Sequence, residues 1–238
     1  MTGNTKGKSP ANNVLMPPEK SVDAAKYLAE FHADFDPLYN MLMNYQCAVM
    51  AVETKFNILN ERLSIRGEHN PIESIKSRVK SLDSIVLKLE KKKVPITIEA
   101  VEETLHDVAG VRVVCSFVDD IYRIEKNFLA QEDIILVERK DYIENPKPSG
   151  YRSLHLIIKT PIYTEEGRKD MFVEVQLRTI AMDFWASVEH KLWYKKDVKP
   201  ELARELSKEL SDCAEASAEL DEKMLRIRDR IAEGLSES

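Results

Sequence analysis

Glycine-rich phosphate loops are missing from this chain: its 238 residues include only 7 glycines, and neither G-x-G-x-x-G nor G-x-x-x-x-G-K-[ST] occurs. The commonest nucleotide-binding turns, which need glycine so that backbone N–H groups can reach a phosphate, are therefore excluded. Cysteine is scarcer still. Cys47, Cys115 and Cys213 are far apart, odd in number and never paired as C-x-x-C. Neither a disulfide framework nor a zinc site is expected, and a reducing cytoplasm is the default. No apolar run approaches the roughly 18 residues needed to cross a bilayer. Residues 1–20 are polar, with Pro10, Pro17 and Pro18, and read as a disordered leader without the apolar core of a signal peptide.

What the chain does have is charge. It is 43% hydrophobic and 32% charged with a formal net charge of −6, the profile of a soluble globular protein long enough to bury a core. The charge is segregated. From Glu201 to Ser238 there are 11 acidic and 6 basic residues, whereas Lys76, Arg78, Lys80, Lys88, Lys91, Lys92 and Lys93 face only Asp83 and Glu90. Such an excess attracts anions, and charge alone leaves nucleotides, RNA and solvent counterions equally open.

Hydrophobic periodicity divides the chain into elements. A helix is expected from about Val22 to Phe35, broken at Asp36-Pro37. In the next segment Leu38, Met41, Leu42, Tyr45, Val49, Val52, Phe56, Leu59 and Leu63 recur mostly at steps of three and four. This predicts an amphipathic helix of about seven turns, its apolar face in a core or subunit contact. After a turn at residues 67–71, Ile75, Ser77 and Val79 alternate with Lys76, Arg78 and Lys80, which predicts a strand with its cations on one face. Ser81 can cap a following helix on which Ser84 and Lys88 stand four apart. Arg78, Lys80, Ser84, Lys88 and the helix start then converge on one multiply charged anion, such as a triphosphate; the competing reading is a solvated basic face.

Thr97–Thr104 reads as a short helix. Residues 106–117 form an apolar strand opened by Asp107 and interrupted by Arg112, a cation that needs a partner or a ligand there. His106-Asp107 also spells a dipeptide of metal-dependent phosphohydrolases, but the further His and Asp ligands are lacking. Asp119 or Asp120 is expected to cap a helix ending near Leu129, followed by a strand over Ile134–Glu138. Another strand runs from Leu154 to about Thr160, and the next over Met171–Arg178, with Phe172, Glu174 and Gln176 on one face. If that face lines a pocket, Glu174 is a candidate metal ligand or base. Ile180–Tyr194 reads as a helix.

The chemistry is expected to gather between Lys140 and His155. Pro146 and Pro148 fix φ on either side of Lys147, and Gly150 permits a tight approach, so Lys147 and Tyr151 have little entropy left to lose on binding. A rigid aromatic among cations suits a purine carrying phosphates; the alternative is an ordinary proline-rich turn. In the tail, Leu206, Leu210, Cys213, Ser217, Leu220, Met224, Ile227 and Ile231 are spaced 4-3-4-3-4-3-4. This heptad seam must pack on the amino-terminal helices or on another subunit.

Read together, six motifs resemble the synthetase domain of the RelA/SpoT alarmone family, and the length resembles the small stand-alone alarmone synthetases, RelQ-like in particular. The motifs are Arg78-Val-Lys80-Ser-Leu-Asp-Ser84 continuing to Lys88, Asp107-x-x-Gly-x-Arg112, Lys140-Asp-Tyr, Asn145-Pro-Lys-Pro-Ser-Gly-Tyr-Arg-Ser-Leu-His155, Val173-Glu-Val-Gln-Leu-Arg-Thr179 and Ala181-Met-Asp-Phe-Trp-Ala-Ser-Val-Glu-His190. The resemblance covers about Pro71 to Lys195.

It implies an α/β fold of the nucleotidyltransferase type: a mixed sheet of about five strands flanked by helices, with amino-terminal helices and a carboxyl-terminal heptad helix. The expected organisation is a leader (1–20), a synthetase domain (21–197) and an amphipathic helix for packing or oligomerisation (198–238). The implied activity moves the β,γ-diphosphate of ATP onto the 3′-hydroxyl of GDP or GTP. By motif, Arg78, Lys80, Ser84, Lys88 and Arg112 would hold ATP, and Lys140, Lys147, Tyr151, His155 and Gln176 would hold the acceptor, with Tyr151 stacked on guanine. Asp107 and Glu174 would bind Mg²⁺, and Glu174 would draw the proton from the 3′-hydroxyl. A homotetramer or other homo-oligomer and single-stranded RNA are further implied partners.

The chain departs from the family pattern at Ser149, where Asn is frequent, and at Ser74, where RelQ-like members carry an aromatic linked to product activation. One rival reading keeps the fold but takes the 3′-CCA end of tRNA as acceptor; beyond Lys91–Lys93 the chain shows little extra basic surface for it. Another is a non-catalytic nucleotide- or RNA-binding protein, against which both Asp107 and Glu174 are retained.

Overall fold

Alternation of polar and apolar residues builds one sheet, and periodicity near 3.6 builds the helices around it. The computed structural model describes residues 24–65, 70–193 and 199–236; the expected leader 1–20, most of the turn at 67–71 and Tyr194 lie outside them. In chain order the elements are α1 (Ala24–Ser64), β1 (Ile72–Val79), α2 (Leu82–Lys92), α3 (Ile98–Thr104), β2 (Ala109–Cys115), α4 (Val118–Leu129), β3 (Ile135–Asp141), β4 (Leu154–Thr164), β5 (Gly167–Thr179), α5 (Ile180–Trp193) and α6 (Pro200–Ser236). The chain divides into two compact units, residues 1–39 and 40–238, the second of which holds the sheet.

The strand order is β1-β2-β5-β4-β3. Only β2 and β5 are parallel; the other neighbours run antiparallel, so this is the expected mixed five-stranded sheet. One face is apolar, with Val111, Val113, Leu154, Leu156, Ile158, Val173, Val175 and Leu177 at most 1% exposed. Tyr45, Val49, Val52 and Phe56 of α1 are also buried, and Phe56 stacks on Phe128 of α4 with ring centroids 4.3 Å apart. Truncating either ring to Ala should cost about 3–5 kcal/mol. The opposite face carries the polar residues of the same strands.

Several expectations are corrected. Asp36-Pro37 does not break the first helix: α1 is continuous, with Pro37 inside it and exposed. A proline removes one helical hydrogen bond, and strong helix formers on both sides, among them Ala33, Leu38 and Met41, carry the helix past that loss. Neither Asp119 nor Asp120 caps α4. The cap position is Phe117, without a side-chain cap bond, and both aspartates sit in the first turn, where they complement the helix dipole. Asp120 accepts from Arg123 at 2.8 Å, and Asp119 accepts from Arg228 of α6 at 2.9 and 2.8 Å. Ser81 caps α2 as expected, and Thr97 is found to cap α3.

The β4–β5 hairpin extends further than expected, pairing out to Thr164 and Gly167, where Gly167 adopts φ +109. The tail is one long helix, but the inward stripe is not the whole heptad seam. Leu206, Leu210, Ala214, Ser217, Asp221 and Arg228 are partly or fully covered, while Leu220, Met224, Ile227 and Ile231 are between 48% and 58% exposed. The lower half of the seam faces away from its own chain.

Candidate active site

The sheet register lines up the polar face in rows. Lys76 of β1 pairs with Arg112 of β2, Arg112 with Gln176 of β5, Gln176 with His155 of β4, and His155 with Lys140 of β3. Five residues from five strands thus form one line. The neighbouring line is Arg78, Gly110, Glu174, Ile157 and Glu138. Every strand places its residue by parity alone, since alternate side chains emerge on the same face.

Two cavities open on these rows. One, of about 260 Å³, is lined by Lys76, Arg78, Gly110, Arg112, Glu174 and Gln176 among others. At its floor Gly110 brings no side chain between Arg78 and Glu174. The second, of about 220 Å³, is lined by Glu138, Lys140, Tyr142, Lys147, His155, Ile157 and Glu174. Glu174 is the wall the two share.

Around the first cavity the expected cations divide into two groups. Arg78 and Arg112 line it, and Arg112 Nε is buried without a partner among the described residues. Lys80 and Lys88 instead converge on Asp107: Lys80 Nζ donates to Asp107 Oδ2 at 2.9 Å and to its carbonyl at 2.7 Å, and Lys88 Nζ donates to Oδ2. Burial would raise the Asp107 pKa, but the two lysines outweigh it and hold the carboxyl below its ordinary range. Asp107 Oδ1 is buried with no partner among the described residues. Ser84 lies on the exposed start of α2, its hydroxyl 2.9 Å from that of Ser81.

Around the second cavity a chain of hydrogen bonds runs from Glu174. His155 Nδ1 is 3.4 Å from Glu174 Oε1, His155 Nε2 is 2.8 Å from the Tyr151 hydroxyl, and Arg178 Nη2 donates to that hydroxyl at 2.6 Å. Arg178 can only donate. With a neutral imidazole, the Tyr151 hydroxyl therefore accepts from Arg178 and gives its own proton to His155 Nε2, leaving Nδ1–H toward Glu174. Gln176 closes the ring, donating to Glu174 Oε2 at 2.9 Å and accepting from Arg178 at 2.8 Å. Burial pushes the Glu174 pKa up, yet the His155 and Gln176 contacts prevail and keep it below the usual carboxylate range; the charge of Asp107 is near enough to oppose them.

Tyr151 is not exposed as a free stacking platform. Its ring packs against Trp185, Ala186 and Ala214, and Lys147 Nζ sits 4.7 Å from its centroid and 4.5 Å from that of Tyr142. Lys140 pairs with Glu138 at 2.9 Å. The loop conformation depends on Gly150 at φ +87, where an added Cβ would lie 2.5 Å from the Ala214 Cβ of α6.

Lys76, Tyr142, Glu138, Arg178 and Asp183 are site residues that the sequence reading left without a role. For Lys76 and Tyr142 the signal was available, in the parity of β1 and in the Lys140-Asp-Tyr motif. For Asp183 the motif Ala181-Met-Asp marked the position but not its role, because its partners Lys76 and Arg112 are distant in sequence.

A basic row, two anionic side chains beside it and two adjoining cavities define a site for joining two phosphorylated substrates. Comparison with known proteins agrees. Residues 77–199 match the region found in RelA / SpoT proteins. The chain is 47% identical over 192 residues to the GTP pyrophosphokinase YwaC of Bacillus subtilis, covering 81% of this chain and 90% of that one. It is 38% identical to the GTP pyrophosphokinase YjbM of the same organism, covering 81% and 89%. Its fold is similar to that of small alarmone synthetase 1 of Bacillus subtilis, solved bound to its product pppGpp, with TM-score 0.74 and 36% identity, covering 83% of this chain and 99% of that one. Small alarmone synthetase 2 of the same organism aligns with TM-score 0.72 and 46% identity, covering 81% and 98%. The chain belongs to the RelA/SpoT family.

Proposed function

We propose that this protein is an alarmone synthetase that transfers the β,γ-diphosphate of ATP to the 3′-hydroxyl of GDP or GTP. The observation that carries this is Glu174 standing as the common wall of two cavities, one lined by Arg78 and Arg112 and the other by Lys140, Lys147 and His155. A donor triphosphate in the first and an acceptor nucleotide in the second would meet at that carboxylate. The names and bound product of the related enzymes support the same reading.

In the reaction the acceptor 3′-oxygen attacks the β-phosphorus of ATP. The bond from that phosphorus to the α,β-bridging oxygen breaks, and AMP leaves with the bond's electrons. Glu174, held ionised by His155 and Gln176, takes the 3′-hydroxyl proton. Lys76, Arg78 and Arg112 offset the charge on the phosphate oxygens, in a reaction where positioning and electrostatics supply most of the rate.

The residues fit a divalent cation. Asp107 Oδ1 is a buried oxygen without a partner among the described residues, close enough to Glu174 for their charges to interact. Among the described residues no three His, Cys, Asp or Glu side chains gather into a cage, and Mg²⁺ typically binds one or two carboxylates plus substrate phosphates. Asp107 and Glu174 would hold it, where it would neutralise phosphate charge. We further assign residues 21–197 to the synthetase domain and 198–238 to packing or oligomerisation, with a homotetramer or another homo-oligomer as the assembly, the cytoplasm as location and single-stranded RNA as a second ligand. Among the described residues no helix is long and apolar enough to cross a membrane.

The test is to incubate the protein with γ-labelled ATP, Mg²⁺ and GDP or GTP, and separately with deacylated tRNA. Label in a guanosine 3′-diphosphate product supports the reading. Label only in tRNA, or in neither, refutes it.

A further inference from the structure

Asp183, in the first turn of α5, is a buried carboxylate that touches three cations. Its Oδ2 accepts from Lys76 Nζ at 3.3 Å; its Oδ1 accepts from Arg112 Nη1 at 3.1 Å and from Arg178 Nη1 at 3.4 Å. Its side chain is only 11% exposed. Two of these cations, Lys76 and Arg112, line the first cavity. The third, Arg178, is almost fully buried and reaches the other way, to the Tyr151 hydroxyl and to Gln176. One carboxylate thus stands where the two half-sites join.

We propose that Asp183 is a positioning residue for both substrates, fixing Lys76 and Arg112 for the donor and, through Arg178, Gln176 beside them and Tyr151 on the acceptor side. This rests on the transfer reaction inferred above. The side chain of Lys76 is 62% exposed, and a lysine on an edge strand otherwise spreads over many rotamers. Arg112 and Arg178 repel each other, so holding both guanidinium groups on one face needs an anion between them. Asp183 supplies that anion.

The alternative, that Asp183 matters only through its field, predicts the opposite sign. A negative charge beside the cavity repels a polyphosphate, so removing it without loss of geometry should tighten donor binding. A positioning role means that Asp183→Asn weakens donor binding although the site gains positive charge.

The experiment measures binding of α,β-methylene-ATP and of GDP by calorimetry, with kcat, KM and thermal melting, for wild type, Asp183→Asn and Asp183→Glu. For Asp183→Asn we expect both nucleotides to bind about 10-fold more weakly, the effect of losing one charged hydrogen-bond set, with KM raised more than kcat is lowered. Asp183→Glu, which keeps the charge but shifts it by a methylene, should melt near wild type and show a smaller loss for both. Unchanged or tighter analogue binding by either folded variant overturns the proposal. So does failure of both variants to fold, which would make Asp183 a residue of stability alone. A wild type that binds neither nucleotide refutes the transfer reading itself and the proposal with it.

Discussion

The hydroxyl of Tyr151 lies 2.8 Å from His155 Nε2, so the ring expected to meet a nucleobase is tied to the imidazole that touches Glu174. Substitutions at Tyr151 should therefore be felt at both ends of the pair. Tyr151→Phe keeps the ring but removes the acceptor of Arg178, and should raise the acceptor KM about 3- to 10-fold, the loss of one hydrogen bond to a charged group. Tyr151→Ala should raise it further while donor KM changes less. Steady-state kinetics with each substrate varied in turn will separate the two effects.

Glu174→Gln should remove synthesis, by roughly 10² to 10⁴-fold in kcat, the range for loss of a positioned general base. The amide keeps one acceptor oxygen for Gln176, and the other imidazole tautomer lets His155 Nδ1 accept from its NH₂, so the melting temperature should stay near wild type. Turnover near wild type would contradict the assigned role.

At Gly150 backbone and packing act together. A side chain there must tolerate φ +87 and a Cβ 2.5 Å from that of Ala214, so Gly150→Ala should cost about 2–4 kcal/mol in urea unfolding, strain and overpacking combined. Adding Ala214→Gly should recover the steric part and leave the backbone part.

The pH dependence follows from the directions of the carboxylate shifts. Asp107, Asp119 and Glu174 titrate below their ordinary values in the folded protein. The stability they contribute is complete above the unfolded carboxylate value of about 4 and fades as pH falls through the folded values. Asp221 is pushed up by burial and has the opposite sign, its contribution fading as pH rises. Asp107→Asn should thus be less stable than wild type at pH 7, and the gap in urea midpoints should narrow toward pH 3.

The exposed lower half of the α6 seam leads to a prediction about assembly. Replacing Leu220 and Ile227, 54% and 48% exposed, by Glu should lower the molar mass measured by light scattering without lowering helicity. An unchanged mass would remove this face from any interface.

Much of the site could be read from strand parity. The alternation around Arg78 put the cations on one face of their strand, and that around Glu174 put the carboxylate with Gln176 on one face of theirs, because side-chain direction along a strand is a local property; that the two faces coincide came from the pairing of the strands. What escaped was set by contacts distant in sequence. Asp183 meets Arg112 across 71 positions, and Lys80 and Lys88 reach Asp107 across 27 and 19. Pro37 was misread because its local rule yielded to the helix on either side. For α6 the period was correct, but a period cannot say which of two adjacent stripes turns inward; the packing of Trp185, Leu210 and Ala214 decides that.

The row from Lys76 to Lys140 draws one residue from each strand, the two outermost included. No fragment lacking either edge can therefore bind nucleotide fully, and ligand recognition waits for closure of the entire sheet. It follows that substrates should protect the domain as a whole from proteases and heat, by about 2.7 kcal/mol at a ligand concentration 100 times Kd. A fall in nucleotide concentration would then shorten the lifetime of the very molecule that consumes it.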